Sequence, residues 1–386
     1  MSNSMIQISS AFDGGNIEVI DASDPTAIRL RIRPDAGGEH MQWFSFQLAN
    51  ARGTACRLVI ENAGEVSYPD GFVDYQAVAS TDGERWLRVA TAFDGRELVI
   101  THTPESDLIH FAYFAPYGFD RHQALIADAL GDARVRAEVL CLTPDGRPLT
   151  LLTLGRAAAG KPVIWITARQ HPGESMAEWW VEGFLDRLLD PADGVARALL
   201  DHAVIELVPN MNPDGSVRGH LRVNAHGVNL NRAWRDPDPE TSPEVFHVRR
   251  RMHASGVDLA LDVHGDEALP YNFIAGGEGV ARWNAAMEAD LQGFKQRLER
   301  IAPDFQTEYG YERDAPASAD LRKCTDYIAE TFGCLAMTLE MPFKDAANRP
   351  DAQTGWSPQR SAALGALFVD AIWQHIAESP TAEAAP

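Results

Sequence analysis

Residues 161–189 read KPVIWITARQHPGESMAEWWVEGFLDRLL. The opening KPVIWITA is a nearly continuous apolar run, as expected of a strand buried on both faces. After the break at Pro172 and Gly173, apolar side chains recur at Met176, Trp180, Val181, Phe184, Leu185 and Leu188. That spacing is one stripe of an α-helix. Ser175 followed by Glu178 has the pattern of a capping box, which predicts a helix starting at Ser175. A buried strand, a short turn and an amphipathic helix together form the unit of a mainly parallel sheet covered by helices.

Three more segments read the same way: HAVIELVPN (202–210), GVDLALDVHG (256–265) and CLAMTLEMP (334–342). Amphipathic helices alternate with them. Residues 119–378 are therefore expected to form an α/β catalytic domain, with a mixed, mainly parallel sheet flanked by helices. Upstream the texture differs. NIEVIDAS, AIRLRIRP, CRLVIENA and ELVITHT alternate apolar and polar residues, with Gly, Pro, Asp and Asn between them. Many short strands of this kind predict an antiparallel β-sandwich over residues 1–118. Asp82-Gly83 is expected to be a tight hairpin turn. Residues 379–386 are expected to be a tail.

The 386 residues include 34 Lys and Arg against 55 Asp and Glu, a formal charge of −21. Such an acidic chain is a poor partner for nucleic acid or an anionic membrane surface. No apolar run approaches the roughly 20 residues that span a bilayer. The start, MSNSMIQISSAFDGG, lacks a basic and apolar leader, so a cytoplasmic location is expected. Cys56, Cys141, Cys324 and Cys334 are scattered. They fit reduced thiols, with a Cys324–Cys334 disulfide as the alternative.

The reactive residues gather at strand ends. WITA runs into Arg169-Gln170-His171-Pro172-Gly173-Glu174, LALDV into His264, and MTLE ends at Glu340 before Pro342. In open α/β sheets, ligands bind beyond the carboxyl ends of the strands. His-x-x-Glu alone means little, because it also occurs at His102/Glu105, His264/Glu267 and His375/Glu378. The 171/174 pair stands out because it occupies a strand-to-helix turn, where imidazole and carboxylate can face one metal ion. Glu267 is the rival carboxylate. A Glu340 buried at the end of an apolar strand costs free energy without a partner, which points to function.

HPGE, NMNPDGSVRG, LRVNAHGVNLNR, LDVHG and TLEMP, spread in that order over residues 171–342, resemble the zinc metallocarboxypeptidases. The likeness is strongest to the cytosolic carboxypeptidase subgroup, which carries a β domain before the catalytic domain. The segment YFAPY at 113–117 is similar to the strand that ends that β domain. The resemblance implies one Zn2+ per chain, bound by His171, Glu174 and His264. It implies Glu340 as the base that activates water, and Arg222 as the residue facing the scissile carbonyl, with Arg218 as the alternative. Asn231 and Arg232 would grip the C-terminal carboxylate of a peptide or protein substrate, and Thr325 would lie at the floor of the side-chain pocket. Arginine suits this task, since its planar fork matches a carboxylate.

Two departures stand out. Asn229 replaces the Asp that orients a zinc-bound histidine in the family. No residue matches the mobile Tyr of the digestive members: spacing leads to Ser318, with Tyr309, Tyr311 and Tyr327 as loose candidates. Two other functions compete with the peptidase. One is a zinc amidohydrolase of small N-acyl amino acids on the same fold; the other is a binding protein with a decayed site.

Overall fold

Ile28, Leu30 and Ile32 are buried while Arg29 and Arg33 between and beyond them reach solvent, the alternation of a half-buried strand. The computed structural model describes residues 5–378, so the expected tail lies outside the described residues. In the N-terminal domain, strands from Gln7 to Ala112 form two five-stranded sheets. Their inner faces enclose Phe44, Phe46, Phe72, Phe111 and Tyr113. The sandwich is antiparallel apart from one pair: Ile28–Arg31 runs parallel to Cys56–Ile60. The expected hairpin exists, Val78 pairing with Arg88 and Ala79 with Leu87, but its turn is longer than two residues. Residues 81–86 bridge the strands, and the Asp82 carboxylate accepts from Glu84 N and Arg85 N at 2.9 and 2.8 Å. The side chain organises the loop in place of a tight turn.

The second domain is built on seven strands, in spatial order Val135–Leu142, Pro148–Leu154, Val204–Val208, Val163–Ala168, Leu259–Asp266, Leu335–Pro342 and Phe273–Gly276. The central four are parallel and the edge pairings antiparallel. Alternate residues serve two cores. Ile164 and Ile166 join the helices Met176–Leu188, Gly194–His202, Ala285–Ile301 and Pro358–Glu378, whereas Trp165 joins Pro243–Ser255 and Cys324–Phe332. Gly183 and Gly365 let Met176–Leu188 and Pro358–Glu378 touch: a Cβ on Gly183 would meet Ala362 O at 2.0 Å, and one on Gly365 would meet Trp180 O at 2.0 Å. All four cysteines are free, so the Cys324–Cys334 alternative is not realised.

Ser175 is the N-cap of Met176–Leu188, but the capping box does not form. Its hydroxyl donates instead to Ala115 O at 2.8 Å, and Glu178 is drawn inward by Arg169, His122 and Asn210. Arg169 takes a left-handed φ of 57° as the chain leaves its strand. That conformation costs roughly 1–2 kcal/mol for a residue with a Cβ. It is held by bonds from Arg169 to Pro172 O at 2.9 Å, Tyr117 O at 2.8 Å and Glu178 at 2.6 Å. The linker 113–117 is thus lashed to the turn that carries His171.

Candidate metal and substrate site

Strand register does the first part of the assembly. His264 and Glu340 are direct neighbours on the parallel strands Leu259–Asp266 and Leu335–Pro342. The adjacent strand Val163–Ala168 delivers the turn with His171 and Glu174 to the same end of the sheet. The donor atoms of His171, Glu174 and His264 lie within 4.8 Å of one another, and all three residues are buried. Each histidine turns Nδ1 to the Glu174 carboxylate at 2.7 Å. Each Nε2 is anchored on the far side: that of His171 lies 3.2 Å from Asn229 Oδ1, and that of His264 lies 2.7 Å from Asp262 Oδ2. Asp262 is itself held by Thr167 Oγ1 at 2.8 Å and Gln170 Nε2 at 2.5 Å.

Burial opposes a charged His264, but Asp262 and Glu174 outweigh it and hold its pKa well above the ordinary value, so a metal ion bound there would displace a proton. Burial, helped by the charge of Arg222, takes the His171 pKa down to about 4, leaving a neutral ring. Burial works against an ionised Glu174, but the two imidazoles outweigh it and hold its pKa below the ordinary value. Two imidazole nitrogens and a carboxylate facing one point make a donor set for a divalent ion such as zinc. Glu340 stands beside them with its pKa pushed well up by burial and then by Glu174, Asp266 and Glu267, while His264 opposes. Its Oε2 is buried without a hydrogen-bond partner, an unsatisfied acceptor at the place where a water or substrate would sit. Glu267 lines the same cavity, its pKa raised to about 8 by burial and then by Glu174, but it is outside the three-donor cluster.

A cavity of about 650 Å3 opens from these residues, reaching Arg222, Asn231, Arg232 and Thr325. His171, Glu174, Arg222, Asn231, Arg232, Thr325 and Glu340 line this one space, while His264 stands behind it in the three-donor cluster. The guanidinium of Arg222 lies 5.4 Å from the Tyr68 ring centroid. Burial opposes its charge, but Glu267, Tyr68, Glu174 and Glu340 hold its pKa above the ordinary value. Arg218 points elsewhere, ion-paired with Asp145 at 2.6 Å. Asn231 accepts from Cys324 N at 2.8 Å through Oδ1, which leaves its amide NH2 as the donor for a ligand. Arg232 is an exposed residue at the cavity wall. Thr325 Oγ1 bonds Thr338 Oγ1 at 2.6 Å. Lys323 and Lys295 also line the cavity, whereas Arg322 turns away to Asp320 at 2.7 Å.

Arg249 and Arg251, close to the site in sequence, are tied up elsewhere. Arg251 pairs with Glu206 at 2.8 Å, and Arg249 donates to the Trp234 and Arg235 carbonyls. Sequence reasoning missed Asp262, although it lies two residues before His264 on the same strand face. It also missed Tyr68 and Lys295, which carry no local signal. Of the tyrosines, Tyr311 reaches the site. Its side chain is half exposed, yet its hydroxyl donates to Asp266 Oδ2 at 2.7 Å and approaches Glu340 Oε1 at 3.1 Å. Tyr309 stacks on Tyr271, and Tyr327 bonds His253.

Two family models match the two parts of the chain. The model of a family described as zinc carboxypeptidase matches residues 131–361, and that of the cytosolic carboxypeptidase N-terminal domain matches residues 8–114. The chain belongs to the zinc carboxypeptidase family. It is an enzyme of the metallocarboxypeptidase class, with the subgroup's β domain ahead of the catalytic domain. A metallo-carboxypeptidase from Burkholderia cenocepacia is 48% identical and superposes with a TM-score of 0.94, over 96% of this chain and 99% of that one. A metallo-carboxypeptidase from Pseudomonas aeruginosa, solved in complex with (2-guanidinoethylmercapto)succinic acid, is 44% identical with a TM-score of 0.93 over 96% and 99% of the two chains. Cytosolic carboxypeptidase 2 of Xenopus tropicalis is 30% identical over 78% of this chain, which spans 34% of that protein's length.

Proposed function

We propose that this carboxypeptidase hydrolyses the C-terminal peptide bond of peptides or protein tails, with one zinc ion per chain bound by Nδ1 of His171, Glu174 and Nδ1 of His264. The observation that supports the reading is that a cavity reaching two members of the three-donor cluster, His171 and Glu174, is also lined by Glu340, whose Oε2 is unsatisfied, and by Arg222, Asn231 and Arg232. Zinc in such a site is a Lewis acid that brings the pKa of a bound water to about 7. A cation beside Glu340 would favour its ionised form against burial, and the carboxylate then takes the proton of the attacking water at Oε2 and delivers it to the departing amine. Arg222 faces the carbonyl oxygen as negative charge develops there. The Asn231 amide and the Arg232 fork hold the terminal carboxylate, orienting the last peptide bond toward Glu340.

The terminal side chain points toward Thr325 and Thr338, with Lys323 and Lys295 beyond, which favours an acidic residue. We place the domain division at 118/119 and the site of action in the cytoplasm, the latter in keeping with the names of the cytosolic relatives. Among the described residues no helix is long and apolar enough to cross a membrane. A small-molecule deacylase would need the same donors, but the family's β domain and the open cavity support a peptide substrate.

The deciding experiment compares one peptide as free acid and as C-terminal amide, with mass-spectrometric readout. The free acid should be cleaved at least about tenfold faster, the weight of a charge-assisted contact. Arg232→Ala should erase most of that difference. Equal cleavage of both forms by the wild type would exclude carboxylate-directed exopeptidase action.

A further inference from the structure

The loop that carries Arg222 belongs to the catalytic domain but is held by the other one. Residues 219–227 run from the end of the short helix Pro213–Arg218 toward Asn229. Asp35, 2% exposed, lies in the β domain just past the strand Ile28–Arg31. Its Oδ1 accepts from Leu221 N at 2.6 Å, and its Oδ2 accepts from Arg222 N at 2.7 Å and Val223 N at 3.1 Å. Three consecutive backbone N–H groups on one carboxylate fix the direction in which the middle side chain departs.

The neighbours tighten the same hold. Ala36 N donates to His220 Nε2 at 3.0 Å, and Asn16 Nδ2 donates to Gly219 O at 2.9 Å. Gly227, at φ +77°, packs so closely that a Cβ there would meet Gly37 O at 2.2 Å.

The guanidinium end meets the β domain a second time, over the Tyr68 ring. A cation over an aromatic face is attracted to it, more so when both are shielded from water. Tyr68 is itself gripped by the buried Gln42, whose Oε1 accepts from Tyr68 N at 2.9 Å and whose Nε2 donates to Tyr68 O at 3.0 Å. Among the described residues the Arg222 guanidinium has no ion pair within 4.0 Å; Glu267, Glu174 and Glu340 attract it from farther off, and the Tyr68 ring is the contact that the β domain supplies.

We propose that the β domain sets the working position of Arg222 from two sides: Asp35 holds its backbone and Tyr68 its guanidinium. Both are positioning residues, and the N-terminal domain is a constituent of the active site. The inference rests on the reading of Arg222 as the residue that faces the developing oxyanion. A donor displaced by about 1 Å from such a charge loses roughly a hundredfold in rate. An interaction made only in the transition state shows in kcat, with KM little changed.

The test is a double-mutant cycle on the zinc-loaded full chain with Asp35→Asn, Arg222→Ala and the two combined. Asp35→Asn keeps the shape but can present an NH2 group where a carboxylate oxygen accepted N–H. It should lower kcat by about ten- to a hundredfold, with KM within about twofold. In the Arg222→Ala background the same change should move kcat by less than about twofold, because residues acting through one another are not additive. A full additive loss in that background, or wild-type kcat in Asp35→Asn, overturns the inference and leaves the role of Arg222 standing. Wild-type kcat in Arg222→Ala alone overturns that role and the inference with it. Should Asp35→Asn lose its zinc or melt early, Tyr68→Leu at a partly exposed position carries the same test. A kcat-selective loss that vanishes in Arg222→Ala supports the proposal, and an additive loss overturns it.

Discussion

Asn229 presents its Oδ1 to His171 Nε2 at 3.2 Å, while the other metal-facing histidine, His264, has a true carboxylate, Asp262, in the same place at 2.7 Å. A carboxylate behind a ligating imidazole raises its basicity, and outer partners of this kind tune metal affinity by about 10–100-fold. Asn229→Asp should therefore tighten zinc binding by about tenfold, and Asp262→Asn should loosen it by a similar factor. Competition against a chelator of known affinity at fixed pH measures both. Unchanged affinity in Asn229→Asp would mean that the 3.2 Å contact does not steer the ligand.

Glu340→Gln should keep about one zinc per chain while kcat falls by roughly 100- to 10,000-fold, the range of a lost proton-transfer group. His171→Ala should lose the metal itself. Tyr311→Phe removes the hydroxyl near Glu340 Oε1 and should have a milder effect, on the order of tenfold. Metal analysis beside turnover separates the three. A Glu340→Gln variant with near wild-type turnover would eliminate Glu340 as the base.

Glu244 begins the helix Pro243–Ser255, is fully buried, and has its pKa pushed up to about 7 by burial against only partial relief from Asn224. A carboxyl whose folded-state pKa is raised stabilises the fold at low pH and loses that contribution as pH rises through about 7. The interval from its ordinary 4.5 to about 7 corresponds to on the order of 3 kcal/mol at most. Glu244→Gln should then melt a few degrees above wild type at about pH 8, with the gap closing toward about pH 5. Thermal melts across that window check it, and a gap independent of pH would contradict it.

Lys295 lines the cavity from the helix Ala285–Ile301, as do Thr325, Thr338 and Glu340 from the other elements. Peptides ending in Glu or Asp should be trimmed about tenfold faster than those ending in Lys or Arg, as one charge-assisted hydrogen bond allows. The advantage should shrink with added salt and in Lys295→Met. A panel varying only the last residue decides it. Faster release of Lys, Arg or a large aromatic would place Lys295 outside the path of the side chain.

The strand-to-helix turn at His171 and Glu174, the strand ends at His264 and Glu340, and the two-domain order were all legible because they rest on local signals. Apolar runs of strand length, helical stripes and short motifs are written in adjacent residues. Their convergence follows from one rule about parallel sheets. The capping box at Ser175 was misread because tertiary partners, Ala115 O and the Arg169–His122–Asn210 group, outcompeted the local bonds. That Arg222 and not Arg218 lines the cavity depends on Asp145, 73 residues before Arg218, which draws Arg218 away. The hold of Asp35 on the Arg222 loop spans 187 residues, and no periodicity or motif encodes such a distance. By itself, the sequence pointed to His171, Glu174, His264 and Glu340 and to the end of the sheet they share, but not to Tyr68, Lys295 or Asp262 beside them. Only the tertiary structure decided how they are aimed, because side-chain direction depends on partners that the fold brings from the other domain.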